Sequence, residues 1–491
     1  MNLGDVAARG AGITLAVQIG QTAVQLASVI ALTRLLTPTD FGLVGMVTAI
    51  VGIASIVQDF GLSMAAIRAP VVTAPQQTNL FWANTALGLA CSGIVVASTP
   101  LVVAAYREPR LTPIVPALAA IFLFSGMGAQ YSAMMARDFR FKELGVVSIS
   151  AQILSVSIAI ALAADGFGFW AIVVQQTSYA ALLTAGYMWR TKWLPGLPVR
   201  GASIRPFLKF GTGVLGTQAI AYATKNVDNI AIGAVWGAVP LGLYSRAYQL
   251  MLAPLNKINA PLTRVALPVL ARVQNDDATF LRYLARAQVI ACYVTAGVFA
   301  IIAGLAEPVV DLLFGTEWRA AAPLVAVLAI GGIFRSVAQV AYWAYLARGA
   351  SGRLLRQRLL TGAITVMLIA GGVPWGALGV AVACTIAAVV SWLIAMVHVA
   401  SAVHIDSKPL LTHATRIIGS VALPCGVAAW GASMLPVPAA VQVLCGVAIA
   451  GAYFAVACML IDWIRSDVAF SWAFVRRSLG RTSPTTSRVQ P

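Results

Sequence analysis

Long runs of hydrophobic residues, separated by short polar connections, fill the chain almost from end to end. A helix needs roughly 20 apolar residues to cross a bilayer core about 30 Å thick, and fourteen runs approach that length. The pattern therefore predicts an all-α integral membrane protein with about 14 transmembrane helices. The predicted spans are Ala11–Leu32, Phe41–Val57, Leu80–Ala105, Ile114–Met134, Leu144–Ala164, Phe169–Trp189, Phe210–Trp236, Leu241–Val269, Val289–Ala306, Ala320–Leu346, Leu359–Gly372, Trp375–Val399, Ile417–Leu435 and Val441–Ile461.

The Lys and Arg residues lie almost entirely on one side of this predicted topology. With both termini in the cytoplasm, 24 of them fall in inner segments and 4 in outer loops. Positively charged loops stay on the cytoplasmic side, so this asymmetry predicts cytoplasmic termini. The formal net charge of +17 then reflects topology and attraction to anionic membrane lipids, and nucleic-acid binding is not expected.

Composition narrows the functional classes further. Hydrophobic residues make up 60% of the 491 residues and charged residues 10%, with a mean hydropathy of +0.86, which excludes a water-soluble globular protein. The connections between spans leave no room for a soluble catalytic domain. The six cysteines lie in apolar runs without C-x-x-C spacing, and the three histidines, around one short connection, lack the carboxylate or cysteine partners that a metal site would need. Neither a disulfide framework nor a metal site is therefore expected.

A weak internal repeat relates two parts of the chain at a spacing of about 200 residues. Thr39–Leu43 aligns with Val239–Leu243, and Gly10–Gly12 aligns with Gly211–Gly213. Six spans fall in each repeat, which predicts a parallel repeat about an axis along the membrane normal, with a central cavity between two lobes. The predicted organisation is an N-lobe (1–205), a C-lobe (206–405), two further spans (406–463) and a basic cytoplasmic tail (464–491).

Five basic residues fall inside predicted spans, where a charge is costly unless it faces a cavity or a partner. Arg335 lies near the middle of the tenth span, where its side chain is least able to reach an interface. Arg246, Lys257 and Arg264 in the eighth span lie within about 20° of one another on a helical wheel. Together with Lys225 in the seventh span, these residues are the predicted binding site for an anionic group.

Each of these assignments has a structural alternative. Arg335 could be satisfied by helix carbonyls or neighbouring amides, and Arg246 and Arg264 could reach the two interfaces by snorkelling. Asp228, three residues after Lys225, could form a local ion pair with it or could couple transport to protons or sodium. No cofactor is expected.

The first lobe carries amides instead of cations. Gln18, Gln21 and Gln25 lie within about 60° of one another on the first span, and Asn84 adds an amide in the third. Amides both donate and accept hydrogen bonds, which suits sugar hydroxyls, although buried glutamines also tie helices together. An amide-rich lobe facing a cationic one suits an amphiphile with a neutral glycan and an anionic phosphate.

Six short segments at the ends of spans carry a family pattern. They are Thr33–Gly42, Asp59–Leu62, Ala136–Phe141, Asn226–Asn229, Leu241–Tyr244 and Leu313–Trp318. In this order they resemble the polysaccharide transporters, which are Wzx-type oligosaccharide flippases of the multidrug/oligosaccharidyl-lipid/polysaccharide superfamily. The resemblance implies a fourteen-helix, two-lobe transporter of the bacterial inner membrane. It also implies a cargo of undecaprenyl-pyrophosphate-linked repeat units, moved by alternating access for surface or exopolysaccharide synthesis, with a polymerase and a chain-length regulator as partners.

Other classes of membrane protein stay open as alternatives. A cation-coupled drug antiporter should carry more carboxylates within its spans, and a lipid II flippase typically has Arg-Asp near the end of span one, where this chain has Arg34–Pro38. A polysaccharide polymerase usually has a long periplasmic loop, whereas the longest outer loop here is around Glu307–Arg319. Transport without bond chemistry is therefore expected, and the chain is not expected to be an enzyme.

Overall fold

In a computed structural model of the chain, the described residues are 3–58, 72–202, 204, 222, 226–403 and 405–479, and most of them are helical. Within these ranges there is no strand, and nine helical segments are long and apolar enough to cross a bilayer. The predicted all-α membrane fold is confirmed. The helices are α1 (Leu3–Leu35), α2 (Pro38–Gln58), α3 (Ala74–Ala97), α4 (Thr99–Tyr106), α5 (Leu111–Arg137), α6 (Phe141–Ala164), α7 (Trp170–Thr191), α8 (226–236), α9 (Ala238–Arg272), α10 (Asp277–Gly304), α11 (Ala306–Leu313), α12 (Ala322–Val337), α13 (Gln339–Ala347), α14 (Ser351–Gly372), α15 (Gly376–Val403), α16 (Lys408–Ile417), α17 (Leu423–Ser433), α18 (Ala439–Leu460) and α19 (Asp462–Leu479).

Thirteen of the fourteen predicted spans coincide with described helices, and α8 covers the described end of the seventh. Three spans predicted as continuous helices are broken in the structure. The third span breaks at Ser98, between α3 and α4, and the tenth breaks at Ala338, between α12 and α13. The thirteenth contains a π-helical turn, Ile418–Ala422, between α16 and α17.

Pro100 explains the break in the third span. Proline has no backbone N–H, so it cannot donate to the carbonyl of Val96 one turn earlier. The hydroxyl of Thr99 donates to that carbonyl instead, at 2.6 Å. Since no water is present in the hydrocarbon region to satisfy a free carbonyl, this side chain supplies the missing donor locally.

Pro424 has a similar effect on the thirteenth span, but its donor comes from another helix. Pro424 has no N–H to donate to the carbonyl of Ser420, which lies four residues earlier inside the π-helical turn. The hydroxyl of Tyr453 on α18 donates to this carbonyl at 2.7 Å. The irregular turn is thereby tied to the neighbouring helix.

The described residues form two compact units. The first comprises the residues up to Ser245 together with Leu313–Trp318 and Val373–Val380, and the second comprises the others. The predicted boundary between the lobes, at 205/206, lies among residues that the structure does not describe. The division into two six-helix lobes therefore stays a prediction.

In the first unit, α3, α5 and α7 approach closely through small residues. A Cβ on Gly126 of α5 would lie 2.7 Å from the carbonyl oxygen of Asn84 on α3. The hydroxyl of Thr184 on α7 donates to the carbonyl of Phe124 on α5 at 2.7 Å. Close backbone approach and hydrogen bonds between helices are the interactions that hold helices together in lipid, where hydrophobic burial contributes little.

In the second unit, α19 docks on α10 and α16 through one carboxylate. Asp467 of α19 accepts hydrogen bonds from Arg416 at 3.1 Å and from the hydroxyl of Tyr293 at 3.3 Å. The guanidinium of Arg416 also lies 3.8 Å from the ring centre of Trp463, a cation–π contact. The first part of the predicted basic tail is thus a helix packed on its neighbours, which the sequence analysis did not predict.

Candidate functional site

Most of the predicted cationic residues lie on α9, which has 35 residues. Lys257 and Arg264 are exposed on this helix, whereas Arg246 is half-buried. At a rise of 1.5 Å per residue, Lys257 and Arg264 are separated by about 10 Å along an α-helix. Two of the three predicted cations on α9 are therefore accessible, as an anion-binding residue must be. Their part in binding stays a prediction.

Arg335 on α12 reaches across to α9, where it meets Tyr248. Its Nη1 donates a hydrogen bond to the Tyr248 hydroxyl at 2.7 Å, and its Cζ lies 5.3 Å from the centre of the Tyr248 ring. Arg335 is half-buried and Tyr248 is buried. A phenol is neutral, so it positions the guanidinium without cancelling its charge. A guanidinium held in this way presents a rigid fork of donors, which suits bidentate contact with a phosphate.

Next to this contact, a row of neutral polar side chains joins α9 to α12 and α13. The hydroxyl of Ser336 lies 3.3 Å from Oδ1 of Asn259. Gln339 Nε2 and Trp343 Nε1 both donate to the hydroxyl of Thr263, at 3.3 Å and 2.8 Å. These contacts fix α12 against α9 and so determine where Arg335 presents its charge. Sequence analysis missed them, because single neutral polar residues in an apolar run give no signal.

Asp228, the predicted coupling residue, is almost completely buried, with 3% of its surface exposed. Its Oδ2 accepts from the hydroxyl of Tyr244 at 2.7 Å, and its Oδ1 accepts from the backbone N–H of Asn229 at 2.8 Å. The carboxylate therefore ties α8 to the beginning of α9. Lys225, its predicted partner, lies outside the described residues, so the ion pair and the coupling role both stay predictions.

The predicted sugar-contact amides differ in their accessibility. Gln18 and Gln25 are exposed on α1, and Gln21 is half-buried. Asn84 is only 3% exposed, and its Nδ2 has no hydrogen-bond partner within the described part of the chain. Gln152 on α6 donates to the backbone carbonyl of Gln21 at 3.1 Å, so this amide does tie two helices together. In this conformation Gln18 and Gln25 are accessible to sugar hydroxyls, whereas Asn84 is enclosed.

Four of the six family-like segments meet in the first unit, at the ends of α1, α2, α8 and α9. The indole of Trp318 is fully buried, and its Nε1 donates to the backbone carbonyl of Thr33 at 2.8 Å. Its ring packs edge-on against Phe41, with 5.4 Å between centroids. The bond between Tyr244 and Asp228 joins the other two segments. Sequence analysis used these segments as family markers and did not predict that they pack together, since Thr33 and Trp318 are 285 residues apart.

These features define a multi-helix membrane protein with cationic side chains on two neighbouring helices, α9 and α12, and the segment that contains α12 is long and apolar enough to cross a bilayer. The family described as "Polysaccharide biosynthesis protein" matches residues 31–323. The chain belongs to this family, and the resemblance found in its sequence is confirmed.

Two relatives and one solved structure extend the comparison. The lipopolysaccharide biosynthesis protein WzxC of Escherichia coli (strain K12) is 26% identical over 67% of this chain and 67% of its own length. The teichuronic acid biosynthesis protein TuaB of Bacillus subtilis (strain 168) is 30% identical over 57% of this chain and 59% of its own. The match thus spans about three fifths to two thirds of these relatives. The lipid II flippase MurJ, in an inward closed conformation, has the same fold, with a TM-score of 0.71 over 92% of this chain and 99% of its own, at 12% identity.

Proposed function

We propose that the chain is a flippase for undecaprenyl-pyrophosphate-linked oligosaccharide repeat units. It moves them from the cytoplasmic to the periplasmic leaflet of the bacterial inner membrane by alternating access, for surface or exopolysaccharide synthesis. The observation that carries the proposal is the placement of Arg335 in a candidate membrane span of a polysaccharide biosynthesis protein, next to α9, a predicted span that carries Lys257 and Arg264. Charges at such positions are costly and mark the path of a polar substrate.

The chemistry of the cargo agrees with the chemistry of these side chains. The guanidinium of Arg335, fixed by Tyr248, offers paired N–H donors to a pyrophosphate, while Lys257 and Arg264 offer further positive charge along α9. The exposed amides of Gln18 and Gln25 can donate to and accept from sugar hydroxyls. The polyprenyl tail stays in the lipid, and no covalent bond is made or broken, so the chain acts as a transporter and not as an enzyme.

Several further parts of this function are proposals of the same kind. Both termini lie in the cytoplasm, and a polymerase and a chain-length regulator of the same membrane take up the delivered units. Coupling to protons or sodium involves Asp228. The names of WzxC and TuaB support a polysaccharide product, and the fold shared with a lipid II flippase supports a cargo with a large polar head group.

The proposal is tested by deleting the gene and determining which leaflet holds the polyprenyl-linked glycan. Cytoplasmic accumulation together with loss of surface polysaccharide is expected, and the mass of the glycan then identifies the cargo. The deletion should be restored by the wild-type gene and not by Arg335→Ala, with both proteins present in the membrane in equal amounts. Periplasmic accumulation of single repeat units would assign the protein to polymerisation instead. An unchanged glycan pool would favour a drug antiporter.

A further inference from the structure

The first turns of α2 and α9 cross with their backbones in direct contact. A Cβ on Gly42 would overlap the carbonyl of Ala238 and lie 2.8 Å from the Cα of Ala238. A Cβ on Gly242 would overlap the carbonyl of Pro38 and lie 3.1 Å from the amide nitrogen of Gly42. Gly42 therefore faces Ala238, four positions before Gly242, and Gly242 faces Pro38, four positions before Gly42. A hydrogen atom is the largest group that fits at either position, so the contact depends on both glycines.

This reciprocal contact is made by residues that the internal repeat equates. The alignment of Thr39–Leu43 with Val239–Leu243 places Gly42 opposite Gly242 at an offset of 200 residues. Equivalent helices of the two repeats thus touch at equivalent atoms, which is the geometry of a local twofold axis. Transporters with internal repeats work by movement of one repeat against the other. A contact on the axis between the repeats is where such a movement opens or closes a path.

Aromatic side chains cover this crossing. Trp318 packs edge-on against Phe41, the neighbour of Gly42, and against Phe314 at 5.8 Å between centroids. Its indole N–H is bonded to Thr33, at the end of α1. All of these residues belong to segments that the predicted topology places at the periplasmic end of their helices. The crossing and its aromatic cover therefore close this end of the first unit.

We propose that the crossing of α2 and α9 at Gly42 and Gly242 is the periplasmic gate of the transporter. The gate is closed in this structure, and it opens when α2 separates from α9. A seal made of two backbones has no long side chains to rearrange, so it can separate and reform as rigid helices move. The cargo that passes the gate rests on the proposed function, whereas the movement itself can be tested without knowing the cargo.

A disulfide across the crossing tests whether α2 and α9 must separate. Gly45 lies one turn further along α2, and a Cβ there would be 3.5 Å and 3.7 Å from Cδ2 and Cγ of Leu241. A Cβ at position 45 thus lies 3.7 Å from the γ position of residue 241, which brings a pair of cysteines at these positions near the geometry of a disulfide, whose Cβ atoms are about 4 Å apart. With the six native cysteines replaced, oxidation of Gly45→Cys/Leu241→Cys should stop polysaccharide export, and a reductant should restore it. The single variant Gly45→Cys should export normally under oxidation.

Alanine substitutions test the opposite state, in which the gate cannot close. In a background without the six native cysteines, Gly42→Ala and Gly242→Ala should hold the helices apart and let a membrane-impermeant maleimide, added outside spheroplasts, reach Leu241→Cys. Leu241 lies at the crossing and is 0% exposed in the closed structure, so the parent should stay unlabelled. Gly45→Ala is the matched control on the same helix, because a Cβ there makes only ordinary contact with Leu241.

The outcomes separate the gate from the cargo. Full export by a completely crosslinked pair would overturn the gate and leave the flippase proposal standing. Absence of labelling in both glycine variants, present in the membrane at the parental level, would also overturn it. If the glycine variants do not reach the membrane, the disulfide decides alone. If the glycine variants are labelled and the wild-type protein exports no polysaccharide, the gate is supported and the proposed cargo is refuted.

Discussion

The phenol of Tyr248 helps to set the position of the charge on Arg335. The hydroxyl of Tyr248 is buried and accepts from the guanidinium at 2.7 Å, so the two side chains form one unit between α9 and α12. Hydrogen bonds to charged groups contribute about 1.5–3 kcal/mol. Loss of the hydroxyl therefore removes one of the contacts that orient the guanidinium, and bidentate binding of a phosphate depends on its orientation.

Tyr248→Phe should reduce polysaccharide export by about tenfold while the amount of protein in the membrane stays constant, because a tenfold change corresponds to about 1.4 kcal/mol. Arg335→Lys should retain part of the activity, since lysine keeps the positive charge but lacks the paired N–H donors of the guanidinium. Arg335→Ala should abolish export. The measurement is surface polysaccharide per unit of membrane protein in a complemented deletion strain.

Tyr345→Phe provides the matched control for Tyr248→Phe. Its hydroxyl is fully enclosed and has no hydrogen-bond partner among the residues that the structure describes, so its removal should leave export unchanged. Normal export by Tyr248→Phe would show that the phenol does not position Arg335. An equal loss in both tyrosine variants would point to a general effect on packing.

The sequence reveals the charged members of this candidate site but not the neutral ones. Arg335 stands out because a charge in an apolar run is rare, whereas Tyr248 in a span is ordinary. Asn84 shows a different limit of the sequence. Its polarity suggested contact with sugar, which stays a prediction, and the structure encloses the side chain where α3 crosses α5, which only the packing of the two helices could have revealed.

Among the helices, the π-helical turn before α17 depends on a donor from its neighbour. Pro424 removes one backbone N–H, and the hydroxyl of Tyr453 replaces it at the carbonyl of Ser420. An unsatisfied carbonyl inside the protein costs about 1–3 kcal/mol, so this bond should contribute measurably to stability.

Tyr453→Phe should lower the thermal midpoint of the protein in detergent, because it removes the hydroxyl donor from the Ser420 carbonyl. In the Pro424→Ala background the same substitution should cost much less, since alanine restores the helical N–H that serves this carbonyl. If Tyr453→Phe lowers the thermal midpoint equally with Pro424 in place and in the Pro424→Ala background, the Tyr453 hydroxyl does not substitute for the N–H that proline lacks.

Hydrophobic runs predicted the helices well and their interruptions poorly. The length of an apolar run is set by the thickness of the bilayer, so it can be read from the sequence alone. A proline within a span, in contrast, is compatible with a kink, a break or a π turn, and the choice at Pro100 and Pro424 depends on which hydroxyl lies nearby. The helix α19 was missed because its apolar and charged residues are interleaved, unlike those of a span.

For the whole molecule, the distribution of Lys and Arg makes a prediction about orientation. This distribution predicts that the connection between α4 and α5, around Arg107, lies outside, and that the connection after α7, around Arg200, lies inside. Alkaline phosphatase fused after Arg107 should be active, and a fusion after Arg200 should be inactive.

Green fluorescent protein gives the complementary signal, because it fluoresces only in the cytoplasm. A fusion to the C-terminus should be bright, and the fusion after Arg107 should be dark. The reverse pattern would invert the topology, and it would place the crossing of Gly42 and Gly242 on the cytoplasmic side.

The family-like segments illustrate what a sequence omits at this scale. Their order along the chain was sufficient to indicate the family, which the family match confirms. Their meeting in space could not be inferred, because contacts such as that between Trp318 and Thr33 are set by how the helices assemble and leave no local pattern. The repeat was visible as a faint alignment, and only the structure shows that equivalent residues touch each other.

The reciprocal contact between Gly42 and Gly242 also bears on how such a chain could have arisen. If one ancestral repeat paired with a copy of itself, a single codon supplied both glycines, and one mutation would have damaged both sides of the contact at once. Duplication and fusion placed the two positions under separate codons. Each side could then change alone, provided that its partner compensated. Descendants of the same ancestor can therefore diverge in the stiffness of this contact without first passing through a form in which both sides are damaged.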